Sequence, residues 1–275
     1  MSFNKNTYLN TMKHIILTAL SVALAASACT ARPTDGNFTA ISAADNVKVI
    51  YTPGPQADID IKTPEAALRF VKTVVRDNTL EISTERGIGQ AEVTVTVTAP
   101  DVTAFRVKDN ASLYIDGKFD GDNLAVSVSD NATFKAGIVK TGDMALRASD
   151  NAELKIRTRA QGGNVAVSGK DRAEIELAEL NASNIAVNMS DGAELDLPKV
   201  QLHNVAMNVS DGAEIKICGT ADAITMKASD NAEIDASALK AATGSAQASD
   251  GAEIKCSVRS LAARSVSDGA KIINR

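Results

Sequence analysis

The residues that could do chemistry in this chain are carboxylates, and they come in rows. Asp109, Asp130, Asp150, Asp171, Asp191, Asp211, Asp230, Asp250 and Asp268 follow one another at intervals of 21, 20, 21, 20, 20, 19, 20 and 18 residues. Three positions after six of them stands a glutamate: Glu153, Glu174, Glu194, Glu214, Glu233 and Glu253. Such rows admit two chemistries. A hard cation such as Ca²⁺ needs about six to eight converging oxygens. A carboxylate at a tight corner instead accepts hydrogen bonds from the backbone N–H groups around it. The pattern shows spacing without convergence, so the nine aspartates are read as structural corner residues and no metal ligand is assigned. A surface protein stabilised by divalent cations is the alternative. Like charges about 4.8 Å apart repel by about 1 kcal/mol in water, and Lys135, Lys155, Lys216 and Lys255 on the same strands offset the glutamate row.

Catalytic groups are scarce. His14 precedes Cys29, which leaves His203 as the one histidine beyond it, with no Ser or Cys nucleophile motif beside it. Cys218 and Cys256 read as structural thiols, and no Cys/His cluster or cofactor motif is present. Parallel β-helices can also be polysaccharide-acting enzymes, and a site of that kind would break the repeat. The break at Gly162-Gly163 and Ser168-Gly169-Lys170-Asp171-Arg172 is where such a site would lie. A one-residue insertion explains it equally well. The even spacing leaves no long loops to build a substrate groove, so no catalytic residue is assigned.

The elements that must carry the aspartates are strands. Apolar residues alternate with polar ones before the corner (Ile185, Val187, Met189) and after it (Ala193, Leu195, Leu197). The residue after the Asp is Asn or Gly in eight of nine copies, Arg172 being the exception, and those types accept positive φ. Two positions after every Asp stands Ala, and four after it a large apolar residue. One strand–corner–strand unit cannot bury its apolar face alone, whereas stacked copies form a continuous core. The pattern predicts an all-β fold: a single-stranded parallel β-helix, or β-solenoid, of about 20-residue repeats over residues 107–275. A propeller of paired copies fits less well, because no period of about 40 residues overlies the shorter one. Residues 38–106 lack the Asp motif but read as a β-rich N-terminal part with one short helix in 64–70, able to cap an otherwise unpaired edge.

Composition sets the setting. The chain has 275 residues, 29 basic and 34 acidic, with 3% aromatic and no Trp, so the core must be mainly aliphatic. Without a basic run, nucleic-acid binding is excluded. Residues 1–28 read as a signal peptide of lipoprotein type: Lys13, an apolar run from Ile15 too short to span a bilayer, then Ala26-Ser27-Ala28-Cys29. Met12 can serve as its start. Cys29 is the lipidation site, and residues 29–37 form a polar tether. Removing residues 1–28, with Lys5 and Lys13, takes 29 basic residues to 27 against 34 acidic, a charge of −7. Such acidity leaves membrane anchoring to the lipid.

With Phe38-Thr39-Ala40-Ile41 leading to Val47-Lys48-Val49-Ile50, then Asn78-Thr79-Leu80-Glu81-Ile82 and the corner copies, residues 36–275 resemble the head GIN domain family, secreted bacterial proteins labelled auto-transporter adhesins. The resemblance implies a β-helical fold and export. The expected protein is a non-catalytic, adhesin-like or structural binding module of the bacterial cell envelope, held to the membrane through a lipid anchor. It would take a surface glycan or protein ligand, with no cofactor. No cluster of aromatics marks a sugar site.

Overall fold

The computed structural model describes residues 38–85, 89 and 91–275, with the backbone alone at Thr158. Parallel coils stack into a β-solenoid of about eight turns. Each corner reverses the chain in four residues. Ala132 N–H donates to the Ser129 carbonyl at 3.2 Å, and the same bond recurs from Ala111 to Ala270 at 3.0 to 3.2 Å. Both central residues are left-handed: φ is 51° to 58° at the nine aspartates and 58° to 76° at the residues that follow. The turn thus resembles type I′, whose central pair favours Asn, Asp and Gly. Sequence spacing places the left-handed residue only after the Asp, whereas the Asp itself is also left-handed.

Corners are bonded to one another along the stack. Asn131 N–H donates to the Asp150 carbonyl at 2.9 Å, Asn151 to Asp171 at 3.0 Å, and Arg172 to Asp191 at 3.0 Å. Beneath the turns the alanine column from Ala111 to Ala252 is at most 1% exposed. The large apolar column, from Leu113 to Ile254, is at most 2% exposed.

A tenth corner corrects the reading that residues 38–106 lack the motif. Asp45 and Asn46 both have φ of 61°, and Asn46 N–H donates to the Asp109 carbonyl at 3.1 Å. It joins β1 (Ala40–Ala43) to β2 (Lys48–Pro53). β1 pairs in parallel with β7 (Ala104–Val107), and β2 with the start of β8 (Ser112–Val128). Its third residue is Val47, 1% exposed, so the inside of the bend accepts more than Ala. Between β2 and β7 the chain builds the end of the stack. β5 (Thr79–Thr84) lies parallel to β1, β6 (Thr94–Ala99) parallel to β2. Antiparallel β4 (Val71–Arg76) and β3 (Asp58–Lys62) then edge them, with α1 (Glu65–Leu68) between these two in sequence. Thr84 Oγ1 donates to the Asp45 carbonyl, which closes the corner ladder at this end.

The remaining coils run through β9 (Thr133–Ala148), β10 (Glu153–Gly169), β11 (Glu174–Leu177), β12 (Leu180–Met189) and β13 (Glu194–Val209). β14 (Glu214–Ala228), β15 (Glu233–Ala248), β16 (Glu253–Val266) and β17 (Lys271–Asn274) complete the stack. The interior is aliphatic except near the capped end. There Phe105 packs against Tyr51, Phe119 and Phe134 at ring separations of 5.3, 6.4 and 5.7 Å. Among the described residues no helix is long and apolar enough to cross a membrane.

Candidate functional site

Strand alternation fixes what each face shows to solvent. On the face approaching the corner, the inward residues (Met144, Leu146, Ala148 in one coil) leave positions seven, five and three before the Asp pointing outward. Register turns those positions into columns. The middle column is Ala104, Ala125, Ala145, Ala166, Ala186 and Ala206, paired coil to coil. Five of them, from Ala125 on, are exposed. On one side runs an amide ladder: Asn204 Nδ2 donates to Asn184 Oδ1, Asn184 to Asn164, and Asn164 to Asp143, each at 2.8 Å. Asn164 N–H adds a second bond to Asp143 Oδ1 at 3.1 Å. On the other side stand Arg106, Ser127, Arg147, Ser168, Asn188, Asn208 and Lys227. The alanines and the amide rail line a groove of about 700 Å³, and the second column forms a rail alongside the alanines, outside that volume. The groove continues towards the cap as a space of about 520 Å³ lined by Arg76, Arg106 and Arg147 together with Asp77 and Glu81.

The corner at the far rail is tight. A Cβ on Gly142 would come 2.6 Å from the Asp122 carbonyl oxygen, and one on Gly163 would come 2.8 Å from that of Gly142. Glycine at these two positions is therefore a packing requirement of the bend. At the other end of the suspected break, Arg172 takes its place in the corner ladder and Lys170 pairs with Asp171 at 3.2 Å. The region is an ordinary rung.

The corner carboxylates do not meet the partners expected of them. Ser129 and Ser190 hydroxyls donate to Asp130 and Asp191 at 2.7 Å, and Lys108 pairs with Asp109 at 2.9 Å. Among the described hydrogen bonds, none runs from a backbone N–H to a corner carboxylate. On the face leaving the corner, the glutamates from Glu153 to Glu253 form one register column. Lys155 reaches Glu153 at 3.0 Å and Glu174 at 2.7 Å, Lys135 reaches Glu153 at 2.8 Å, and Lys255 reaches Glu233 at 2.6 Å. Lys216 makes no such pair among the described residues. Burial pushes the Glu153 carboxyl up, but hydrogen bonds from Lys135 and Lys155 outweigh it and hold the group below its ordinary value. The hydrogen bond to Glu174, the largest influence on Lys155, raises that ammonium well above its usual range. Among the described residues no group of three or more His, Cys, Asp or Glu is placed to hold a metal ion.

The other candidates are isolated. His203 Nδ1 lies 2.7 Å from Asp222 Oδ2 on an exposed edge. Cys256 is buried, and burial raises its thiol pKa; Cys218 is only half-buried. Cys29 lies outside the described residues. The amide ladder and its alanine floor went unread in the sequence, although Asn123, Asp143, Asn164, Asn184 and Asn204 repeat at the interval of the corner aspartates.

The family "Putative auto-transporter adhesin, head GIN domain" matches residues 37–176 and 170–274, nearly the whole described chain. The chain belongs to the head GIN domain family. Solved structures share the fold of this head GIN protein. A putative lipid binding protein from Parabacteroides distasonis is 13% identical with a TM-score of 0.68, covering 88% of this chain and 94% of that one. A putative adhesin from Parabacteroides merdae is 15% identical with a TM-score of 0.66, covering 88% and 93%. No curated protein matches the head GIN chain. The family places it among adhesin-like surface proteins.

Proposed function

We propose that this head GIN protein is a non-catalytic, lipid-anchored binding module of the bacterial cell envelope, working through the alanine-floored groove of its approach face. The single observation that carries the reading is the groove itself. It runs across successive coils, each rung bonded to its neighbours, and presents small side chains beside an amide ladder. A surface of that kind suits extended contact, whereas catalysis needs a local constellation of acid, base or nucleophile. His203 has Asp222 as its one described side-chain hydrogen-bond partner. The family's adhesin label supports a surface role. Ala26-Ser27-Ala28-Cys29 supports lipidation at Cys29, with residues 30–37 as the tether. We assign the corner aspartates a turn-forming role, on the strength of their positive φ.

Three measurements on the expressed full chain test this. Cys29→Ser should move the protein from the membrane fraction to the soluble fraction and abolish palmitate labelling; equal partitioning of both forms would refute the anchor. A screen of the exported protein against surface glycans and surface proteins should find a ligand whose binding is lost when Ala166→Tyr fills the groove floor. Turnover of a polysaccharide, abolished by Arg172→Ala, would replace the binding reading with an enzymatic one.

A further inference from the structure

Among the described residues, three unpaired cations share one register column on the approach face. The chain carries 34 acidic residues against 29 basic, and many of its cations are engaged: Lys135, Lys155 and Lys255 with glutamates, and Arg159 and Lys199 both with Glu179. Arg106, Arg147 and Lys227 are exposed, and among the described residues none of the three has a carboxylate within 4.0 Å. All three stand in the one register column that forms the basic rail beside the groove, and Arg106 and Arg147 also line its continuation towards the cap.

Their positions along the column are periodic. Counting coils from Arg106, Arg147 is two rungs on and Lys227 six, with Asn188 at the fourth. At the strand spacing, two rungs are about 9.6 Å. The opposite rail is neutral apart from Asp143, whose Oδ1 is taken by both Asn164 donors. Each ladder amide commits one N–H to its neighbour and keeps a second for a ligand. The corner aspartates lie three positions beyond the basic rail, so an anion is favoured on its groove side over its corner side. At the cap end Arg76 pairs with Glu81 at 3.8 Å and Asp77 lies beside them, so the free run begins at Arg106.

Resting on the binding-module reading above, we propose that the groove takes a linear acidic polysaccharide with one anionic group per disaccharide, laid along the solenoid axis. In an extended glycan each pyranose ring advances by roughly one strand spacing. Alternate sugars therefore meet Arg106, Arg147, Asn188 and Lys227, while the intervening rings lie over alanine with their hydroxyls against the ladder amides. The floor of Ala Cβ atoms lets a ring approach where larger side chains would hold it off. The interval disfavours an extended peptide. A strand advances about 3.3 Å per residue, so its side chains return to one face every 6.6 Å or so, out of step with two rungs.

Isothermal titration of the exported protein tests the assignment. The probes are a hyaluronan decasaccharide (carboxylate only), keratan sulfate of matched length (sulfate only) and a neutral chitin oligosaccharide. At least one acidic glycan should bind, the neutral one at least about tenfold more weakly, and added salt should weaken the acidic complex. Arg106→Gln with Arg147→Gln should lower acidic-glycan affinity about tenfold or more with an unchanged melting temperature. Ala166→Tyr should also abolish binding while leaving every charge in place. Preference for hyaluronan or for keratan sulfate identifies the anion. Binding of neither, equal binding of chitin, or an unaffected double variant would overturn the proposal. Should the broader screen find a different ligand blocked by Ala166→Tyr, the binding-module reading stands without it.

Discussion

At each corner one Asp does a backbone job. With φ between 51° and 58° it occupies a region that most L-residues enter only at a penalty, while Asp and Asn do so several-fold more often. Asp191→Ala should therefore lower stability by about 1 kcal/mol, whereas Asp191→Asn or Asp191→Gly should be nearly neutral, read as shifts in urea midpoint. A loss in Asp191→Asn as large as in Asp191→Ala would show that the carboxylate charge, not the backbone angle, is what matters. Tyr51 poses a different case. Burial pushes its phenol pKa up to about 12, and the hydroxyl donates to the Ala99 carbonyl at 3.0 Å. Tyr51→Phe removes one of two donors to that carbonyl, which Gly54 N–H also reaches at 3.2 Å, and should cost about 0.5–1.5 kcal/mol of stability.

At the scale of the strand, ion pairs tie coil to coil. Glu153 on β10 is shared by Lys135 on β9 and by its own strand's Lys155, which also reaches Glu174 on β11. Because the folded pKa of Glu153 lies below its unfolded value, its contribution is fully present above the unfolded value, near 4.5. It is lost as pH falls through the lower folded value. Glu153→Gln should thus reduce stability at pH 7 and flatten the fall in melting temperature on acidification below about pH 4.5. The last strand shows another device. The Asn274 side chain accepts from Val258 N–H at 2.8 Å and donates to its carbonyl at 3.0 Å, imitating one more rung. Asn274→Ala should loosen β16 and expose the Cys256 thiol, whose alkylation in native buffer would rise above the wild-type rate.

Over the whole molecule the two ends differ. The N-terminal end is closed by β3 and β4 in antiparallel pairing and by Thr84 on the first corner. At the C-terminal end β17 pairs, among the described residues, only with β16, and Val266 is 42% exposed. A solenoid is stabilised mainly between nearest neighbours, so opening should start where a rung has one neighbour. Hydrogen exchange should be fastest in β16 and β17 and slowest in β8 to β10, which have packed coils on both sides. Uniform protection along the stack would contradict this and indicate one cooperative unit.

The sequence by itself determined the rung. Strand alternation, corner chemistry and stacked columns are local or periodic properties, and the Asp, the Ala two positions on and the large apolar residue four positions on recur in all nine copies. It did not reveal Asp45-Asn46 as a corner, because Asp45 stands 64 positions before Asp109 with the cap between them, and Val47 replaces the usual Ala. Nor did it show which outward columns matter, since exposed Ala, Ser and Asn carry no burial signal of their own. Only the stacking register decided that five alanines form a floor, that Asn204, Asn184, Asn164 and Asp143 bond in line, and that Arg106, Arg147 and Lys227 share one rail. A site made by neighbours from successive coils exists only once the coils are stacked, because its residues are about 20 positions apart in the chain and one strand spacing apart in space.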